Sequence, residues 1–422
     1  MKTILVKGPA LSRSGYGEQT RFALRSLRSQ PDRFNILLIN IPWGQTGWYN
    51  QDDEERQWLD YLIGRTPNHI NHNAPIDISL QVTIPNEWEK IAPINIGYTA
   101  GIETTRISPQ WIEKARLMDK IITISNHSKN VFNNTIYDAV SQQTGEKFKI
   151  QNQVPIEVVN YPVRTLEQEP FDIDLKYDFN FLSVAQFGPR KNIENTLNWF
   201  VEEFHDDEVG LVLKLNLANC STGDRTMCVS KLHEALAQSP GRKCKVYLLH
   251  GDLSVEQMNY LYAHPKIKSY LTLTHGEGFG IPIFEAAYHG VPVIAPGWSG
   301  QCDFLYAPVI SGKRKKAKIR PLFRRVDYTL GAIPQEVVWD GVLEAGTQWC
   351  YPTKKSSKES MRDVYTNYTR YTGMAKKLKK HIIENFTEKE QYTRFANAVI
   401  GEEESELEDW LTSFADELQV HE

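Results

Sequence analysis

Short apolar runs rich in β-branched residues alternate with longer segments of helical period along this chain, and they do so in two successive series. Parallel strands cannot be joined without a crossover, so this alternation predicts βαβ units and parallel sheets covered by helices. In the first series the strand candidates are Thr3–Val6, Asn35–Ile39, Ile94–Tyr98, Lys120–Thr123 and Ile156–Val159, with a helix expected over Lys129–Val140. In the second they are Phe179–Val184, Leu211–Leu217, Lys245–Leu249 and Ser269–Leu273, with helices over Glu194–Glu203, Cys228–Ala237 and Val255–Ala263. Between the two lies a polar, acidic stretch from Thr165 to Asp178 that contains Pro170 and reads as a linker. Beyond Lys355 the pattern is helical, ending in an acidic helix expected over Glu402–Leu418.

A chain of 422 residues is too long for one core, so two doubly wound α/β domains are expected. Their bounds are residues 1–164 and 179–385, joined by 165–178, with 386–422 as helices crossing back toward the first domain. Ligands of such sheets bind beyond the carboxyl ends of the strands, which puts the expected site in the cleft between domains.

Composition excludes several classes. With 41% apolar and 24% charged residues the chain is neither disordered nor fibrous. The run after Met1 is too short for a secretory signal, and no stretch of about 18 apolar residues offers a membrane span. Five cysteines, odd in number and without a Cys-x-x-Cys pair, fit reduced thiols and a cytoplasmic location. The net charge of −4 does not mark a nucleic-acid binder, yet Lys313, Arg314, Lys315, Lys316, Lys318, Arg320, Arg324 and Arg325 fall in one stretch. Interrupted by Pro321, that stretch is expected to form an exposed loop or hairpin near the cleft mouth. It is either a solvated insertion or a clamp for a polyanion such as DNA.

The segment Thr274-His275-Gly276-Glu277-Gly278-Phe279-Gly280-Ile281-Pro282-Ile283-Phe284-Glu285 carries the chemistry. It reads as a strand end, a glycine-rich turn and a two-turn helix opened near Pro282. Glycines let backbone approach a ligand closely, and a helix N-terminus offers free N–H groups to a diphosphate. At a rise of ~1.5 Å per residue, Glu277 and Glu285 lie up to roughly 12 Å apart, comparable to the span from a donor sugar to its ribose.

This run resembles the Glu-x7-Glu signature of retaining GT-B glycosyltransferases, a large family of two Rossmann-like domains facing a cleft. The resemblance implies that Glu277 contacts the transferred sugar with Gly278, Phe279 and Gly280 beside it, and that Glu285 holds the ribose hydroxyls. The segment from Phe181 to Asn192 is similar to the family's opening of the second domain and makes Lys191 a diphosphate cation. Arg190 is either a second cation or a solvated helix start, because the family's usual arginine is replaced by Ala185-Gln186. Gly251 and Leu253 match the segment that recognises the donor base, Ser299 the loop after the motif helix, and Gly15-Tyr16-Gly17 the glycine-rich loop of the first domain. Many relatives carry a histidine facing the acceptor. Here Glu103 stands near that place, as an acceptor-side group or as a structural loop carboxylate.

The implied activity is transfer of a hexose, with retention, from a UDP- or GDP-sugar to a hydroxyl of a saccharide or small molecule. No cofactor is implied. Asp172-Ile173-Asp174 resembles a metal motif but lies in the linker, so no divalent metal is expected. Two alternatives stay open. One is the same chemistry on a modified base of DNA by a virus-encoded member, and the other is a GT-B protein that binds nucleotide-sugars without transfer.

Overall fold

The computed structural model describes residues 1–141, 143–311 and 316–401. The first sheet contains β1 (Lys2–Gly8), β2 (Phe34–Asn40), β3 (Ile78–Val82), β4 (Ile94–Thr99) and β5 (Lys120–Thr123). A hairpin of β6 (Ile136–Val140) and β7 (Lys147–Gln151) precedes its last strand, β8 (Ile156–Val158). The strand order is β2-β1-β3-β4-β5-β8 and all pairs are parallel. Helices α1 (Gly15–Arg28), α2 (Glu54–Asn71), α3 (Pro109–Ala115) and α4 (Asn126–Asn134) cover it. Successive residues Ile4, Leu5 and Val6 are all buried, as expected for a strand with helices on both faces.

The second sheet has the order β11-β10-β9-β12-β13-β16, again parallel. Its strands are β9 (Asn180–Gln186), β10 (Gly210–Asn216), β11 (Lys245–Leu249), β12 (Ile267–Leu271), β13 (Val293–Pro296) and β16 (Arg324–Val326). Between β13 and β16 stand the antiparallel β14 (Tyr306–Ser311) and β15 (Lys316–Pro321), and after β16 the pair β17 (Tyr328–Ala332) and β18 (Gln348–Pro352). The helices are α5 (Ile193–Phe204), α6 (Thr222–Ala237), α7 (Val255–Ala263), α8 (Ile281–His289), the single turn α9 (Cys302–Leu305), α10 (Lys354–Thr366), α11 (Tyr368–Asn385) and α12 (Glu388–Ile400).

Helix α12 lies on the first sheet's layer. Its Phe395 ring packs 5.3 Å from Phe22 and 5.1 Å from Tyr98, and the Ala398 carbonyl accepts from Lys120 Nζ at 2.7 Å. The chain thus crosses between the halves twice.

The structure departs from expectation at several places. Residues 136–140 form a strand, not the end of a helix: α4 stops at Asn134, where two successive asparagines meet Thr135, a run of poor helix formers. Strand β3 and helix α2, which tolerates Pro67 in its interior, add elements that periodicity did not mark. The basic stretch is divided. Ala317–Arg320 is exposed on a hairpin strand, but Arg324 and Arg325 belong to β16 of the main sheet, and Arg324 Nε pairs with Asp363 at 3.1 Å. Sheet pairing through backbone groups decides this, whatever the side-chain charge. Lys313, Arg314, Lys315 and the acidic segment Glu402–Leu418 lie outside the described residues.

Candidate active site

In the second sheet the chain turns back at β9, so that β9 and β12 lie side by side while their crossovers run to opposite edges. A crevice opens at such a switch point, beyond the strands' carboxyl ends. Both loops that carry the sequence-marked residues leave from there. After β9, Pro189–Lys191 make one 3-10 turn, ended by Asn192 with φ at +54°. The Asn192 side chain donates to the Leu273 carbonyl at 3.0 Å, which ties this turn to the one following β12. His275 N donates to the Arg190 carbonyl at 2.8 Å and completes the tie.

The two turns bring Arg190, Lys191 and Glu277 together. Lys191 Nζ lies 2.6 and 2.8 Å from the two Glu277 carboxylate oxygens, and Arg190 Nη1 is 3.2 Å from one of them. Arg190 Nη2 also reaches Glu103 of the first domain at 3.3 Å, so Glu103 joins the cluster from across the cleft. Burial alone would raise the Glu277 carboxyl, but Lys191 and then Arg190 outweigh it and hold it down at about 2. Its backbone N–H donates to Ser299 Oγ at 2.9 Å, and Ser299 adopts a left-handed φ of +72° to present that oxygen.

Glycine is required where the two domains touch. A side chain at Gly278 would overlap the carbonyl oxygen of Ala100, and one at Gly276 the carbonyl of Glu103. Helix α8 then begins at Ile281 after Gly280, with no side chain capping it. Pro282 brings no N–H, and the Ile283 and Phe284 N–H groups donate to the Gly280 carbonyl at 3.0 Å, so what the N-terminus offers the crevice is chiefly the positive end of the helix dipole. Inside the helix, Glu285 receives the Tyr262 hydroxyl at 2.9 Å. Burial pushes the Glu285 carboxyl up to about 7, against the Tyr262 bond, with Glu18 adding to the rise.

That shift has a checkable consequence. The unfolded chain loses the Glu285 proton near the ordinary value of 4.5, whereas the folded protein keeps it to about 7. Stability therefore falls as pH rises through that window. Glu285→Gln removes the loss, and because the side chain is partly exposed the gain should be about 1–2 kcal/mol at pH 8, with little change at pH 4.5. Thermal unfolding of both proteins across pH 4.5–8 measures it, and a pH-independent difference would contradict the assignment.

The remaining sequence-marked residues are placed as follows. Phe279 is buried, its ring 5.2 Å from Tyr161 and Phe284 and 5.0 Å from Phe304, so only its backbone is available to the cleft. Gly251, at φ +116°, accepts from Lys214 Nζ at 2.5 Å, and Leu253 packs on the core edge. Ser14 caps α1 by accepting from Gly17 N at 3.0 Å. The Tyr16 hydroxyl meets Thr99 Oγ1 at 2.8 Å and receives Gly101 N at 3.2 Å, which commits it to the loop that touches Gly278. Asp172 and Asp174 are exposed, away from any strand end.

Several contacts across the cleft had no local sequence signal. Asp303 accepts from Asn126 N at 2.8 Å at the start of α4 and from Asn160 Nδ2 at 3.0 Å. Glu344, in the loop between β17 and β18, accepts from Ser108 Oγ at 2.6 Å, and Asn86 donates to the Gly341 carbonyl at 2.8 Å. On the far side Arg13 faces Asp252 at 3.6 Å.

Among the described residues one His/Cys/Asp group is close enough to hold a metal: Asp224, Cys228 and His250. The Asp224 oxygens already accept the N–H groups of Leu217, Ala218 and Asn219 and face His250 Nε2 at 2.8 Å. Burial pushes the Cys228 thiol up to about 11, away from the thiolate a metal needs. The group works as a loop cap.

No protein-family model matches the chain, and no curated protein matches it. Solved structures do. Sucrose-phosphate synthase from Thermosynechococcus elongatus superposes with a TM-score of 0.59 at 11% identity, over 94% of this chain and 98% of its own. The chain has the GT-B fold. Anabaena HepE in complex with UDP and glucose gives 0.57 at 13% identity, over 94% and 99% of the two chains. A glycosyltransferase from Rickettsia africae gives 0.57 at 12%, over 95% and 99%. At these identities the likeness is one of fold, running through both domains. No helix among the described residues is long and apolar enough to cross a membrane.

Proposed function

We propose that this GT-B protein is a retaining glycosyltransferase that moves a hexose from a UDP- or GDP-sugar to a hydroxyl of a saccharide or small molecule. The observation that carries the reading is the Lys191–Glu277–Arg190 cluster, set at the switch point beside the uncapped N-terminus of α8. The neighbours' names point the same way, since HepE was solved with UDP and glucose.

The site supplies what the reaction needs. A donor diphosphate seats against the α8 N-terminus, Lys191 and Arg190, while Glu285 at the helix's other end takes the ribose hydroxyls. Glu277, freed from the cations, accepts hydroxyls of the sugar. When the bond from the anomeric carbon to the phosphate oxygen breaks, its electron pair stays on that oxygen, and the two cations stabilise the growing charge. The acceptor hydroxyl attacks from the same face, its proton passes to the departing phosphate, and a nucleoside diphosphate leaves. Glu103, bridged to Arg190, stands on the acceptor side and orients that cation. In this scheme Gly251 and Leu253 border the base, and the exposed Gly15 approaches the diphosphate by backbone, while Gly17, its N–H held by Ser14, packs against the Ser12 carbonyl.

A panel of nucleotide-sugars, screened for hydrolysis and transfer with and without excess EDTA, tests the reading. Release of a nucleoside diphosphate from one donor is expected, with turnover in EDTA matching that in magnesium, because cations and dipole already neutralise the diphosphate. Loss of activity restored by added metal would remove the metal-free scheme. Binding without turnover would favour the non-catalytic alternative. Of the basic stretch, the described and exposed cations are Lys318 and Arg320 of β15 and Arg325 of β16, divided between a hairpin and the main sheet, so the saccharide or small-molecule acceptor is the one we carry.

A further inference from the structure

The segment between β2 and α2, Ile41 to Asp53, carries Trp43, Trp48 and Tyr49. Trp43 and Tyr49 pack half-buried at the edge of the core, whereas Trp48 stands exposed. This loop is pinned to the glycine-rich loop of the first domain. Tyr49 N donates to the Leu11 carbonyl and Arg13 N to the Gly47 carbonyl, both at 2.8 Å, and Ser12 forms a bridge with Trp48. It is a built ledge, held by backbone hydrogen bonds on the strand-end side of the first sheet.

Its two tryptophans border the cleft at two points. The Trp43 ring lies 4.4 Å from Tyr16, whose hydroxyl receives the Gly101 N–H in the loop that abuts Gly278. Trp43 is thus one ring removed from the turn that carries Glu277. Trp48 is 58% exposed, and its carbonyl accepts from Arg13 Nε at 3.1 Å. Arg13 in turn faces Asp252 of the opposite domain, which sets the ledge at the cleft mouth.

We infer that Trp43 and Trp48 form the acceptor subsite and that its ligand is a neutral saccharide, whose C–H face stacks on the indole rings. The inference rests on the transferase reading above and adds the acceptor's chemistry to it. Indole offers a flat apolar face to axial C–H groups, and the ledge's other side chains Gln45, Asn50 and Gln51 are neutral partners for hydroxyls, while Thr46 braces the ledge by its bonds to Ser12 and the Trp43 carbonyl. The alternative occupant is a nucleic-acid base, which also stacks on aromatics. The charge around the ledge opposes it: residues 41–53 contain no lysine or arginine and end in Asp52 and Asp53, and the arginines that touch the ledge, Arg13, Arg21 and Arg56, are each paired with a carboxylate, Asp252, Glu18 and Asp60 respectively. A polyanion's phosphates would have to displace those carboxylates from their arginines.

The test uses the whole protein, a donor that it hydrolyses, and two arms of acceptor: neutral mono- and disaccharides (glucose, mannose, maltose, cellobiose), and double-stranded DNA containing hydroxymethylated bases. The readout is the ratio of transfer to hydrolysis, together with tryptophan fluorescence on titration. With a saccharide as acceptor, Trp48→Ala is expected to lower that ratio about tenfold or more and to abolish most of the fluorescence change. Trp48 is largely exposed, so its variant should fold, and Trp43→Phe should show a smaller loss in the same direction. Transfer to DNA and not to any saccharide, or saccharide transfer indifferent to both substitutions, would overturn the subsite. Absence of hydrolysis with every donor would fail the transferase reading itself, and the subsite with it.

Discussion

Lys191→Met should lower the transfer turnover by about 10²–10³-fold, the loss typical when one preplaced group that meets developing charge is removed. The geometry explains why one lysine carries so much. Its ammonium is the group nearest Glu277, at 2.6 and 2.8 Å, in a crevice where little water is left to take over. The substitution also leaves Glu277 buried with Arg190 as its remaining cation, which should destabilise the empty protein by a few kcal/mol. Adding Glu277→Gln removes the stranded charge, so the double variant should recover much of the melting temperature but none of the turnover. The double variant reports on stability alone, because Glu277 is itself part of the proposed site; a 10²-fold or larger loss in Lys191→Met, assayed well below its melting temperature, identifies Lys191 as part of the chemistry, whereas turnover within tenfold of the native protein would reduce it to a structural ion-pair partner.

The pH dependence of the same cluster follows from its sign. Glu277 is held at about 2 in the folded protein, below its ordinary value, so its pairing stabilises the fold above pH 4.5 and is lost only as pH falls toward 2. The two motif glutamates therefore pull in opposite directions: Glu277 is ionised throughout the physiological range, while Glu285 in the empty site stays protonated to about 7. Their environments separate them, since Glu277 faces two cations and Glu285 faces a tyrosine hydroxyl.

Much of this arrangement was legible in the sequence, and physics says which parts. Strand cores such as Leu211–Leu215 and Ile4–Val6 announce themselves because parallel strands are buried on both faces. The turn from Thr274 to Gly280 was legible because a helix start needs glycine where backbone must approach a ligand or a neighbour. Strand β3 escaped because Ser79 and Gln81 are polar yet buried, satisfied by Asn95 and by the Glu89 backbone respectively. Helix α2 escaped because its Pro67 and its largely exposed surface hide the helical period. The contacts that close the cleft were invisible for a different reason. Asp303 and Asn126 are 177 residues apart, and Ser108 and Glu344 are 236 apart, so no local pattern could pair them. The role of Tyr262 at Glu285 likewise depends on α7 lying against α8, a fact of packing alone.

The second large effect expected comes from a single methyl group. Gly278→Ala places a Cβ on the Ala100 carbonyl oxygen, and its next neighbours are the Ala100 carbonyl carbon and the Ile124 side chain at 3.4 Å. All three belong to the first domain, so the second domain can accommodate alanine without strain of its own. A backbone carbonyl held in a loop that Tyr16 anchors cannot swing aside as a long side chain would. The cheapest relief is for the domains to stand apart, which draws Glu103 away from Arg190 and the loop at Ala100 away from the turn that carries Glu277. A misplacement of about 1 Å between reacting groups costs on the order of 100-fold in rate, and that is the loss expected in transfer. In the proposed scheme UDP is held mainly by Glu285 and the 251–253 loop, so its binding should fall far less. Calorimetry with UDP, turnover, and small-angle scattering to read the domain separation make the comparison. Turnover within threefold of the native protein would show that the closed contact at Gly278 is not the working state, and a loss of UDP affinity as large as the loss of turnover would locate the damage inside the second domain and not between the two.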